Sequence, residues 1–176
     1  MTALAAVLAG GRGRRMGGAK ALVRFDGEPL IAWPIAAAMA ADLDVVVVAK
    51  AETALPPLGV PVWQEPDEPV HPLLGVVTVL ERAGRPVLAI ACDMPFLTSE
   101  LVARLAAGPE AAVTADGRLA PFPARYEPAA LPALRAALAR EAPLRETLAA
   151  LEPVTIAVDD ARVVASVNTP EEPANA

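Results

Sequence analysis

Leu8-Ala9-Gly10-Gly11-Arg12-Gly13-Arg14-Arg15-Met16-Gly17-Gly18-Ala19-Lys20 begins at the end of a short apolar run, residues 3–8. Its glycines therefore open at the carboxyl end of a buried strand, where open α/β sheets bind their ligands. Five glycines in positions 10–18 let successive backbone amides turn toward one centre and wrap an anion. Three arginines and a lysine share this loop, in a chain whose formal net charge is −6. Lys20 and Lys50 are the only lysines, against thirteen arginines. Amides and cations together make a polyphosphate cradle, with Lys20 and Arg15 positioned to neutralise charge during phosphoryl transfer. The loop is not a P-loop, because no Gly-Lys-Ser/Thr closes it. It is also a poor dinucleotide fingerprint. Bulky Arg14-Arg15-Met16 stand where a helix should open, and no acidic residue ends the second strand at Val48-Ala49.

Moving outward, short apolar runs recur at residues 3–8, 45–49, 60–63, 87–91, 111–115 and 154–158, without alternating polar positions. That pattern predicts strands buried on both faces of a parallel sheet. Helices are predicted between them at 29–41, 72–83, 99–107, 128–139 and 143–151, from early prolines, an N-cap at Thr98 and stops at Gly84 and Gly108. Strands alternating with helices give a three-layer, Rossmann-like α/β domain with a mostly parallel sheet, one domain over residues 1–176. Residues 23–25 followed by Asp26-Gly27 predict a short strand and turn, and Asp116-Gly117 a second turn. Residues 119–126 carry Pro121 and Pro123, so a strand there is expected at an edge or broken. Residues 56–72, rich in proline and acidic, read as a surface loop beside a pocket.

Two more motifs carry chemistry. Cys92-Asp93-Met94-Pro95 comes directly after the run 87–91, which sets a carboxylate at a strand end beside the glycine loop, suited to a divalent ion. Near the C-terminus, Val167-Asn168-Thr169-Pro170-Glu171-Glu172 combines a turn residue with a capped helix start.

Composition excludes several classes. Hydrophobic residues make up 55% of the 176, enough for a sizeable core, so wholesale disorder is excluded. Aromatics at 3% are too few for stacking successive bases, and the acidic chain lacks a phosphate-backbone footprint, so no nucleic-acid partner is expected. No apolar run reaches the ~18 residues of a membrane span, so no membrane partner is expected. Cys92 is the only cysteine, which leaves no intramolecular disulfide. The first residues lack the positive charge of a secretory signal. A cytoplasmic location is the expectation.

Together these residues resemble the molybdenum cofactor guanylyltransferase family, within the nucleotidyltransferases of nucleotide-diphospho-sugar transferase-like fold. The family's opening signature, L-A-G-G-x-[S/G]-x-R-M-G-x-x-K, is matched from Leu8 to Lys20 at every fixed position. Asp26-Gly27-x-Pro29-Leu30, Pro72-Leu73-x-Gly75, Cys92-Asp93-Met94-Pro95-Phe96 and Val167-Asn168-Thr169-Pro170-Glu171 come next in the family's order, from residue 8 to 172. The resemblance implies that the terminal phosphate of molybdopterin attacks the α-phosphate of GTP and releases pyrophosphate. By position, Leu8, Ala9 and Gly10 would meet the nucleotide and Gly11 its phosphates. Lys20 and Arg15 would hold the β- and γ-phosphates, Asp93 would bind Mg²⁺, and Asn168 would face the pterin. Glu65 best matches a family aspartate that touches the nucleotide, with Asp67 a rival. Ala49 stands where the family commonly has asparagine, with Lys50 next to it. His71 occupies a position often held by glycine, and its role is expected to be phosphate-side or structural.

Alternatives remain at this point. A sister enzyme would use CTP on molybdopterin or another small acceptor, although Leu8-Ala9-Gly10-Gly11 favours the guanylyl branch. A nucleotide-binding module without turnover would have lost Lys20 or Asp93. A partner making transient contact with cofactor-synthesis or acceptor proteins would show a large exposed apolar patch.

Overall fold

A computed structural model of the chain describes residues 2–10, 20–109 and 111–167. Its centre is built by β1 (Leu4–Leu8), β4 (Val45–Ala49) and β6 (Val87–Ala91). β1 pairs parallel with both others, Leu8 lying opposite Val48 and Ala91. Val45 and Val47 pack on one face of the sheet and Val46 and Val48 on the other, all of them buried. A strand with two buried faces has no solvent side, which is why its sequence does not alternate.

The remaining strands extend the sheet outward. β5 (Val62–Gln64) adds parallel to β4, and β7 (Ala112–Ala115), β8 (Arg118–Tyr126) and β9 (Thr155–Val158) complete seven strands in the order β5-β4-β1-β6-β8-β7-β9. Four of the pairings are parallel, and β8 runs antiparallel to both neighbours. Helices α1 (Ala32–Ala40) and α3 (Ser99–Ala107) cover one face. Helices α2 (Pro72–Ala83), α4 (Leu131–Ala139) and α5 (Leu144–Ala150) cover the other. None of the described helices is long and apolar enough to cross a membrane.

Three expectations are corrected. The strand over 119–126 is not at an edge, since β8 lies between β6 and β7, but its ladder is broken at the prolines. The prolines are tolerated because β6 pairs only with residues 124–126 of β8. On its other side β7 pairs with 118–120 and then, after a register shift, with Ala124. Pro121 and Pro123 thus sit in the unpaired bulge, where a missing N–H costs no ladder bond. Next, the helix expected over 29–41 starts only at Ala32. Pro29 belongs instead to a hairpin of β2 (Arg24–Phe25) and β3 (Glu28–Pro29), turned by Asp26 and Gly27 at φ 48° and 84°. Last, the helix expected over 128–139 opens as a 3₁₀ turn, Pro128–Ala130, before α4.

The expected caps are present. Thr98 accepts the Leu101 N–H at 3.3 Å, and Gly84 closes α2 in the left-handed conformation at φ 59°.

Tyr126 is 1% exposed in the core on the face covered by α2, α4 and α5, and its hydroxyl finds no partner among the described residues. Burial pushes its phenol well above the usual range. Removing an unpaired buried hydroxyl relieves its desolvation penalty. Tyr126→Phe should therefore raise stability by about 1 kcal/mol, or Tm by about 2–4 °C, in thermal unfolding. A lower Tm would mean that the hydroxyl is satisfied.

Candidate active site

Parallel strands end together, so the segments leaving β1, β4, β5 and β6 converge on one rim of the sheet. There lies a cavity of about 240 Å³. Its walls include Leu8, Ala9 and Gly10 from the end of β1, Lys50 after β4, Glu65 after β5, and Cys92 and Asp93 after β6. Lys20, from a 3₁₀ turn over Lys20–Leu22, and His71, at the start of α2, complete the polar lining. Leu8, Ala9, Gly10, Lys20, Glu65 and Asp93, named from the sequence, thus share one cavity. Gly11 and Arg15 of the glycine loop and Asn168 lie outside the described residues, as does the helix start expected at Thr169.

Asp93 is held firmly. The Cys92 N–H donates to Leu8 O at 3.2 Å, continuing the β1–β6 ladder, and the Val167 N–H donates to Asp93 O at 2.9 Å. The side chain is 9% exposed; Oδ2 forms an ion pair with Lys20 Nζ, while Oδ1 is buried without a partner among the described residues. A buried carboxylate oxygen with spare lone pairs suits a hard divalent cation. The described residues include no group of three or more His, Cys, Asp or Glu side chains that could hold a metal. A cation here would therefore draw its remaining ligands from substrate phosphates and water, as magnesium commonly does.

An aromatic cluster links the turns that carry these two charges. Phe25 stands edge-on to Trp33 of α1 (centroids 6.0 Å apart) and to Phe96 of the turn after Asp93 (5.3 Å). The Val23 N–H donates to Lys20 O at 3.2 Å and the Leu30 N–H to Val23 O at 2.7 Å. The turn carrying Lys20 is thereby tied to the hairpin and, through Phe25, to the Asp93 turn.

Opposite this pair sits Glu65, its side chain 7% exposed. The carboxylate lies so close over Gly10 that a Cβ there would overlap it, and a Cβ at Gly75 of α2 would come within 2.8 Å of Oε2. Two glycines of the sequence motifs thus lie against one carboxylate, which a side chain at either position would displace. Burial raises the pKa of Glu65, opposed by the charge and hydrogen bond of Lys50. Lys50 Nζ stands 3.5 Å from Glu65 Oε1 and donates to Pro66 O and Asp67 O at 2.6 and 2.8 Å. Asp67 itself is exposed and lies off the cavity wall, so Glu65 is the carboxylate at this rim. Ala49 is 1% exposed and packs into the core, leaving Lys50 as the polar contribution of the β4 end.

His71 caps α2: its Nδ1 accepts the Leu73 N–H at 3.2 Å, so this nitrogen is occupied as an acceptor. Cys92 is buried, and its thiol is pushed up to about 12, first by burial and then by the neighbouring Asp93 carboxylate. A thiol so rarely ionised is a poor nucleophile near neutral pH. The cavity is equipped for direct displacement between bound substrates. Sequence reasoning missed Lys50 as a wall of this cavity; its signal was rarity, since both lysines of the chain line it.

Residues 5–155 match the family model of the MobA-like NTP transferase domain. The molybdenum cofactor guanylyltransferase of Rhodobacter capsulatus is 35% identical over 181 aligned positions, covering 97% of this chain and 92% of that protein. Among solved structures, molybdopterin-guanine dinucleotide biosynthesis protein A from Archaeoglobus fulgidus is 25% identical with a TM-score of 0.66, covering 88% and 82%. The 2-C-methyl-D-erythritol 4-phosphate cytidylyltransferase of Thermus thermophilus, 21% identical with a TM-score of 0.67 over 97% and 94%, shares the fold.

Proposed function

The chain belongs to the MobA-like NTP transferase family, and from that premise we propose that it transfers GMP from GTP to the terminal phosphate of molybdopterin. A phosphate oxygen of molybdopterin attacks the α-phosphorus of GTP, the bond between that phosphorus and the α,β-bridging oxygen breaks, and pyrophosphate leaves. The observation that carries this reading is the ion pair between Lys20, on its 3₁₀ turn, and Asp93, just after β6, with Asp93 Oδ1 left buried and unpartnered among the described residues. Asp93 would hold Mg²⁺. The bound ion supplies charge neutralisation between the nucleotide phosphates. Lys20 neutralises the charge that develops on the leaving pyrophosphate, and the backbone of Leu8, Ala9 and Gly10 lines the nucleotide. Glu65 faces the base. An ionised carboxylate accepts two parallel N–H bonds, and guanine offers adjacent imino and amino donors, whereas cytosine pairs its amino donor with an acceptor. Outside the described residues, Gly11 and Arg15 would add phosphate contacts and Asn168 would meet the pterin. The single seven-stranded sheet supports reading the chain as one nucleotidyltransferase domain.

Thermal unfolding with GTP, CTP, ATP and UTP, each with and without Mg²⁺, tests the nucleotide. At about 100 times its dissociation constant a ligand adds about 2.7 kcal/mol, a rise of roughly 5–10 °C for a domain of this size. The expected result is a rise largest for GTP with Mg²⁺, and then pyrophosphate release once molybdopterin is supplied. A rise confined to CTP would reassign the enzyme to cytidylyl transfer, and no rise with any nucleotide would sink the reading.

A further inference from the structure

We infer that Lys50 is a positioning residue for nucleobase recognition, holding Glu65 on the wall of the cavity that reads the base and anchoring the chain from Glu65 to Asp67 behind it. The inference deepens the proposed function and rests on Glu65 facing the base. An ammonium carries three N–H donors and no acceptor. Those of Lys50 meet three acceptors of one short stretch: Pro66 O at 2.6 Å, Asp67 O at 2.8 Å and Glu65 Oε1 at 3.5 Å. Its side chain is 10% exposed, so the pair is sheltered from the water and salt that weaken surface ion pairs.

The bonds come from a different strand than the stretch they hold. β4 and β5 are paired at Ala49 and Gln64, one residue before Lys50 and Glu65 respectively. The Glu65 N–H donates to Ala49 O at 3.0 Å, which brings both side chains to the same rim. Gly10 and Gly75 lie close against the carboxylate. Lys50 is the cation that holds it there.

Charge is the second consequence. Among the described residues, the titratable groups that line the cavity with Glu65 are Lys50, His71 at the α2 start, Cys92 and Asp93 after β6, and Lys20. Burial favours the protonated carboxyl, and Lys50 opposes it by charge and hydrogen bond. A protonated Glu65 would present an O–H where guanine also presents donors, and recognition would fail.

The test is nucleotide affinity by titration calorimetry for GTP and for inosine triphosphate, which lacks the 2-amino group, at about pH 6 and about pH 8. Both nucleotides carry the same triphosphate, so its own titration cancels in their ratio. Wild type is expected to prefer GTP by ~10–100-fold, the worth of one buried charge-assisted hydrogen bond. Lys50→Met should lose most of that preference at the lower pH and regain it at the higher, while Lys50→Arg keeps it at both. Where Lys50→Met does not fold, Lys50→Gln carries the same expectation. Equal weakening of both nucleotides at both pH values would reduce Lys50 to packing, and an unchanged preference at both would give it no role; either overturns the inference. Glu65→Gln separates the two levels: a wild-type preference in that variant removes Glu65 from the base and with it the underlying reading.

Discussion

Asp93→Asn should leave a folded protein whose pyrophosphate release from GTP is slower by about 10³–10⁴-fold and no longer depends on Mg²⁺. The substitution keeps shape and backbone. The residue is pinned by the ladder bond from Cys92 to Leu8 and by the Val167 N–H on its own carbonyl, and neither uses the side chain. What disappears is one negative charge in a nearly dry place, with Oδ2 facing Lys20 and Oδ1 unpartnered among the described residues. A metal's stabilisation of transition-state charge amounts to several kcal/mol, and each 1.36 kcal/mol is tenfold in rate. The check is a Mg²⁺ titration of turnover, paired with the extra thermal shift that Mg²⁺ adds to GTP. A variant with wild-type Mg²⁺ dependence would remove Asp93 from the metal site and with it the metal-centred part of the mechanism.

The fold is legible where burial speaks through the sequence. The valines of β4 face two cores at once, as a strand inside a parallel sheet requires. The Asp-Gly turns and the Thr98 cap are legible because their chemistry is local. β8 is misplaced by its sequence for the opposite reason. Whether a proline is tolerable depends on which neighbours pair with which residues, and that register is set jointly by adjacent β7 and by β6, well before it in the chain. Pro29 reads as a helix start because the hairpin partner that claims it, Arg24, lies outside the helical pattern.

At the site, Lys20, Asp93 and the Leu8–Gly10 backbone are readable because glycines and isolated charges at strand ends have few structural uses. Lys50 is not. Its partners are backbone carbonyls of Pro66 and Asp67, groups every residue carries, and only the closing of β4 against β5 brings them within reach. The glycines show the reverse case. The opening motif sets Gly10 on the nucleotide side of the glycine loop, yet a side chain there would already have to displace the Glu65 carboxylate before any ligand binds.

Lys20→Met is expected to lower kcat by about 10²–10³-fold while weakening GTP binding only several-fold, as loss of a preorganised transition-state donor does. Lys20→Arg should recover little, because a planar guanidinium fork cannot reproduce a compact ammonium beside a carboxylate held by its own backbone. Rate alone would not separate a phosphate-binding lysine from one that merely orients Asp93, since the two side chains are paired. The double variant separates them. If Lys20 acted only through Asp93, Lys20→Met would cost nothing more once Asp93 is Asn, and the double variant would match Asp93→Asn. If each contributes its own charge stabilisation while sharing one ion pair, the double variant should be slower than either single one. It should still fall short of the product of the two losses, because contacting residues couple by about 0.5–3 kcal/mol. The second pattern is the expected one, and it places Lys20 on the leaving pyrophosphate. A double variant no slower than Asp93→Asn would reduce Lys20 to a counter-ion that keeps the metal-binding carboxylate in place.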